Sequence, residues 1–139
     1  MLFGDEHVRR YEETDGAVGH DWEGGAPVLV LTTTGRKTGA QRKFALIYQR
    51  VGGGYVIVAS KGGADSHPGW YLNLRERPEV GVQVGADKFT AHARTVGPDE
   101  KAALWPTMTK VWPSYDDYTQ KTDRDIPVVV LEPRGSVLE

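Results

Sequence analysis

Six short runs of β-branched and aromatic residues, set apart by glycine- and proline-bearing turns, most constrain what this chain can fold into. They are Pro27–Thr34, Phe44–Val51, Tyr55–Ser60, Val80–Val84, Phe89–Val96 and Ile126–Leu131. The second and third flank Gly52, Gly53 and Gly54, a hairpin signal, because glycine accepts the positive φ of a tight turn. In the fifth, Phe89, Ala91 and Ala93 fall on one face, with Lys88, Thr90, His92 and Arg94 on the other. That alternation marks a half-buried antiparallel strand, with His92 on its solvent side. A helix is predicted over Gly4–Glu13, and residues 14–26, with four glycines, read as a loop. A second helix is expected over Ser66–Arg77, with Ser66 as N-cap and Pro68 early. From Pro98 to about Gln120 the apolar spacing is helical, and Pro106 and Pro113 predict two or three short helices there. Regular βαβ alternation is missing, so the expected fold is mainly β with helices (α+β). It is a small barrel of about six mostly antiparallel strands with short peripheral helices. No linker or repeat divides the 139 residues, which read as one domain, 1–139, with 1–26 as its N-terminal helix and loop.

Composition removes several kinds of chemistry. With no cysteine there is no thiolate nucleophile or thiolate metal site, so redox work would need a bound cofactor. The four histidines show no metal-ligand spacing, and no metal is expected. The glycines match neither phosphate-loop nor dinucleotide fingerprints, and no nucleophile elbow or paired-carboxylate motif is evident. Met1–Tyr11 is rich in charge, and the apolar runs at Val28–Leu31 and Val128–Leu131 are far too short to cross a bilayer. A cytoplasmic location is expected, with membrane contact by the N-terminal helix left open.

Charge is unevenly spread. Between Gly24 and Ala64 lie Arg36, Lys37, Arg42, Lys43, Arg50 and Lys61 and no carboxylate, whereas all 19 acids lie elsewhere. This arrangement suits either a solvated basic loop or a confined anion site; the acidic remainder argues against a nucleic-acid face. Within the stretch, Thr32-Thr33-Thr34-Gly35-Arg36-Lys37-Thr38-Gly39, then Arg42 and Lys43, brings amides, hydroxyls and guanidinium groups to a strand end. Such a turn can hold phosphate or carboxylate. Ala59-Ser60-Lys61-Gly62-Gly63 repeats the pattern ahead of a helix carrying Pro68, Trp70, Tyr71 and Asn73. Tyr115 and Tyr118 sit one helical turn apart, spaced to hydrogen-bond or protonate an acceptor oxygen.

These blocks (T-T-T-G-R-K-T-G, A-S-K-G-G, H-P-x-W-Y-L-N-L and T-D-R-x-I-P-V-V-V-L-E-P) resemble the deazaflavin-dependent nitroreductase family, in its order, from about Glu6 to Pro133. The resemblance implies a split β-barrel of the flavin-reductase type. It also implies an enzyme that uses reduced coenzyme F-420 as hydride donor to reduce quinones, activated enones or nitroaromatic compounds. By the same resemblance Arg36, Lys37, Thr38, Gly39, Arg42 and Lys43 hold the phosphate and oligoglutamate tail. Ala59, Ser60, Lys61, Gly62 and Gly63 lie along the cofactor, with Pro68, Trp70, Tyr71 and Asn73 around its ring. Ser60, Tyr115 and Tyr118 are the candidates for orienting the acceptor or supplying a proton. The alternatives are an FMN-binding split-barrel oxidoreductase and a non-catalytic F-420 carrier. The expected partner is a small-molecule acceptor and not nucleic acid, with monomer or homodimer left open.

Overall fold

Five of the six strand-like runs each fall in one strand, and Phe44–Val51 falls in two, in the computed structural model, which describes residues 4–22 and 25–134. In chain order the elements are α1 (Gly4–Thr14), β1 (Asp21–Trp22), β2 (Ala26–Thr34), β3 (Gln41–Ile47), β4 (Gln49–Val51) and β5 (Gly54–Val58). After these come α2 (Gly69–Glu76), β6 (Glu79–Val84), β7 (Asp87–Thr95), α3 (Pro98–Val111), α4 (Ser114–Tyr118) and β8 (Val128–Arg134). All pairings are antiparallel, in the order β1-β2-β6-β7-β8-β5-β4, with β3 on β2. Residues 41–51 bring the two ends of this sheet together. β3 runs along β2, the chain breaks at Tyr48, and β4 runs along β5.

Strands that read as continuous apolar runs are buried on both faces. Leu29, Leu31, Ile57, Val129 and Leu131 point into the barrel with Trp70 and Leu74 of α2. On the outer face, Val28 and Val30 lie under Val8 and Tyr11 of α1. Val56, Val58, Val128 and Val130 lie under Met108 of α3 and Tyr115 of α4. At about 1.5–3 kcal/mol for each fully buried large apolar side chain, these two outer clusters hold the helices against the barrel.

Four local expectations are corrected. The loop before β2 contains β1, a two-residue strand that pairs Trp22 with Ala26. Phe44–Val51 is not one continuous strand, because Tyr48 turns aside and its amide bonds the Pro27 carbonyl at 3.0 Å. Ser66 does not cap α2. The helix follows Pro68, which is extended at ψ 149°; a proline disfavours helical backbone in the residue before it, so the chain cannot coil from Ser66. Pro106 does not break α3, which runs through it. Its ring lies on the exposed side, where the missing N–H leaves its would-be acceptor open to water.

Candidate functional site

Beside the barrel lies a cleft of about 490 Å³. Phe44 and Leu46 of β3, the turn Ser60-Lys61-Gly62, and Pro68 and Trp70 at the start of α2 form much of its wall. Trp112, Tyr115 and Tyr118 enclose it from the α3–α4 corner, and His7 and Trp22 from the N-terminal segment. Trp22 stacks on Trp112 at 5.2 Å between ring centroids, which ties the two flanks together. Among the described residues, no aspartate or glutamate lines the cleft, and Lys61 is the one lysine or arginine that does.

The Ser60–Gly62 turn has an uncommon backbone. Ser60 is right-handed (φ −80°, ψ −37°), and Lys61 follows at φ 47°. That alternation turns successive amides toward one side and makes a concavity suited to an anion. A side chain in the left-handed region costs about 1–2 kcal/mol, so the surroundings must hold Lys61 there. They include Arg124, whose guanidinium donates to the carbonyls of Ala59 (3.1 Å), Ser60 (2.8 Å) and Ala64 (3.0 Å). Arg124 lies within the T-D-R-x-I-P block of the resemblance but was not among the expected site residues.

Of the expected site residues, the cleft gathers Ser60, Lys61, Gly62, Pro68, Trp70, Tyr115 and Tyr118. Arg36 does not line it. Its amide (3.2 Å) and Nη1 (2.8 Å) donate to Oδ1 of Asn73, whose Nδ2 donates to Thr33 at 3.1 Å. Asn73 is therefore a buried tie between the β2–β3 turn and α2, with both side-chain polar atoms engaged in it. Lys37, Thr38 and Gly39 form the exposed tip of the turn. Arg42 lies in a shallow depression beside Asp5 and Arg9, which meets the cleft at Phe44. Lys43 is paired with Glu12 of α1, and Arg50 rests over the Tyr55 ring at the far hairpin. The acid-free stretch thus does not converge on one place, because strand alternation and the length of β3 and β4 send neighbouring cations to different sides.

Three other candidates lie away from the cleft wall. Ala59 is fully buried in the barrel. Gly63 is packed under Tyr118. Tyr71 bonds Thr95 at 3.1 Å and lines a separate cleft with His67. Burial holds the Tyr115 phenol far above its ordinary range, so it stays protonated. The Tyr118 hydroxyl accepts from Trp112 Nε1 at 3.3 Å, which leaves its own proton free to be donated. The sequence reading passed over Trp22, Trp112, His7 and Phe44. Trp112 stood beside the tyrosine block, whereas nothing local marked the others.

His67 contributes a pH dependence. Arg124 Nη1 lies 2.9 Å from its Nδ1; arginine can only donate, so Nδ1 accepts and Nε2 carries the proton. Burial first, then the charges of Arg124 and Arg75, lower its pKa, against a smaller opposing effect of Asp125. The unfolded chain therefore binds this proton more readily than the folded one. Stability present above about pH 6.5 is lost as pH falls from there through the lowered value. In thermal unfolding between pH 8 and 5, His67→Gln should lose less stability on acidification than the parent; equal losses would exclude this role for His67.

Barrel, covering helices and an aromatic cleft, with no carboxylate among its described lining residues, define a split-barrel protein with room for a flat cofactor. A heme storage protein of Vibrio cholerae shares the fold at 15% identity, with 96% of this chain and 92% of that one aligned and a TM-score of 0.64. The chain belongs to the F420H(2)-dependent quinone reductase family, whose model matches residues 4–133. An F420H(2)-dependent quinone reductase of Mycobacterium tuberculosis is 43% identical over 131 residues, covering 92% of this chain and 88% of that protein. A solved F420-H2 dependent reductase, FDR-A, is 39% identical over 76% of this chain and 94% of its own, with a TM-score of 0.71. Another solved chain, described as a domain-swapped dimer, is 37% identical over 90% of this chain and 96% of its own, with a TM-score of 0.73. Membership makes this an oxidoreductase with coenzyme F-420 as its cofactor, and the FMN alternative gains no support. Among the described residues, no helix is long and apolar enough to cross a membrane.

Proposed function

We propose that this protein reduces quinones with reduced coenzyme F-420, held in the cleft between β3, the Ser60–Gly62 turn and the α3–α4 corner. The observation that carries this reading is the pairing of aromatic walls with a turn whose backbone suits an anion, with no carboxylate among the described lining residues. Lys61 and the amides of the turn would hold a phosphate, and Arg42, across Phe44, would meet the acidic tail. Trp70, Trp112 and Phe44 offer flat faces for the ring and exclude water around it. When bound, the reduced cofactor supplies two electrons and a proton as one hydride equivalent. A quinone then needs one more proton at oxygen to become the hydroquinone. Tyr118 is the candidate to give it, because it lines the cleft and its hydroxyl already accepts from Trp112, leaving its own proton to donate. Ser60 would orient the acceptor. Activated enones and nitroaromatic compounds share the electron-poor character that such a cleft accepts.

The test is anaerobic mixing with reduced F-420 and menadione, followed by absorbance. Rapid reoxidation is expected from the parent. Tyr118→Phe should slow turnover about 10- to 100-fold, within the range for a positioned proton donor, with F-420 affinity held within twofold. Tight F-420 binding without reoxidation by any quinone would instead make the protein a carrier.

A further inference from the structure

We infer that Arg124 is a positioning residue for cofactor binding, acting from behind the Ser60–Gly62 turn to aim its amides into the cleft. The inference rests on the reading of that cleft as the F-420 site. A trans peptide is planar, and its C=O and N–H point in opposite directions. Arg124 Nη1 takes the Ala59 carbonyl at 3.1 Å and Nη2 takes the Ser60 carbonyl at 2.8 Å. The amides across those two peptide planes, Ser60 N–H and Lys61 N–H, must therefore face away from Arg124. Ser60 and Lys61 line the cleft, whereas Arg124 does not. One planar side chain thus sets two adjacent peptide planes, and Nε on the Ala64 carbonyl at 3.0 Å closes the far end of the turn. The Ser60 carbonyl also accepts from the Gly63 amide at 2.9 Å, so the guanidinium and the turn share one anchor.

The guanidinium is held in turn. His67 accepts from Nη1 at 2.9 Å, and the Arg124 amide donates to Thr122 Oγ1 at 3.1 Å. Just before β8, the Pro127 carbonyl takes the Ala59 amide at 2.9 Å. The segment before β8 is thereby registered against the end of β5 by main-chain and side-chain bonds together. A lysine here would carry the charge but not the fork, since its three donors radiate from one nitrogen.

The test compares F-420 affinity, by deazaflavin fluorescence, in Arg124→Ala, Arg124→Lys and Met108→Ala. Met108 of α3 is fully buried against β5 and β8 and lines neither cleft, so its truncation lowers stability without touching the turn. All are assayed well below their unfolding temperatures. Arg124→Ala should bind F-420 at least tenfold more weakly, Arg124→Lys should recover only part of the loss, and Met108→Ala should stay within twofold of the parent. Arg124→Ala within twofold of the parent, or weakened no more than Met108→Ala, would overturn the inference. Should the parent itself not bind F-420, the reading of the cleft fails, and inorganic phosphate tests the turn alone. Amide NMR shifts of Ser60 and Lys61 on phosphate addition should appear in the parent and vanish in Arg124→Ala; shifts retained in the variant would sink the inference.

Discussion

Gly63→Ala is expected to lower stability by about 3 kcal/mol, where Gly62→Ala next to it costs about 1 kcal/mol. Both glycines lie in the left-handed region, at φ 85° and 63° respectively, so both variants pay a backbone cost. They differ in what a Cβ would meet. At Gly63 it would sit 3.0 Å from the Tyr118 carbonyl oxygen, 3.1 Å from Tyr118 Cα and 3.0 Å from Lys121 Cβ, whereas at Gly62 nothing lies within 4 Å. The backbone of α4 cannot yield as a flexible side chain would, so the helix must lift and take Tyr118 with it. Urea unfolding of the two variants measures the difference. Equal losses would show that α4 is not seated on the turn, and the placement of Tyr118 in the cleft would lose its support.

Lys61→Glu should weaken F-420 binding at least a hundredfold, about 3 kcal/mol by the usual conversion of affinity to free energy. Among the described residues Lys61 is the one lysine or arginine lining the cleft, and reversing it sets a carboxylate against an anionic ligand where no other described residue supplies one. Lys43→Glu is the matched control. Lys43 comes from the same acid-free stretch, yet it is engaged with Glu12 on α1, so its reversal should cost stability there and change affinity far less. Titration of both variants by deazaflavin fluorescence decides the matter. A larger loss from Lys43 than from Lys61 would move the anion site out of the cleft and onto the β3–α1 flank.

What could be read in the sequence was whatever local chemistry dictates. Strands with period-two or continuous apolar character formed where their residues required, because side chains of β2, β5 and β8 must be buried on both faces. The turn at Ser60–Gly63 was marked by its own glycines and lysine, and the tyrosine pair by its helical spacing. What could not be read depended on distant partners. A serine before a proline reads as a cap until Pro68 delays the helix, and Pro106 reads as a break until α3 carries it on an exposed side.

The same division runs through the site. Charge counting found a stretch of six cations without an acid, but only the barrel decided that Lys61 faces the cleft, that Lys43 meets Glu12, and that Arg50 covers Tyr55. The sequence by itself determined the strands, the place of the Ser60–Gly63 turn and the kind of chemistry a cysteine-free chain can perform. Tertiary structure alone decided that Trp22 stacks on Trp112 across 90 residues and that Arg124 reaches back to Ala59, Ser60 and Ala64. The physical reason is that propensity and spacing act over a few neighbouring residues, whereas the direction of a peptide plane or a charged side chain is set by whichever group the folded chain brings within about 3 Å.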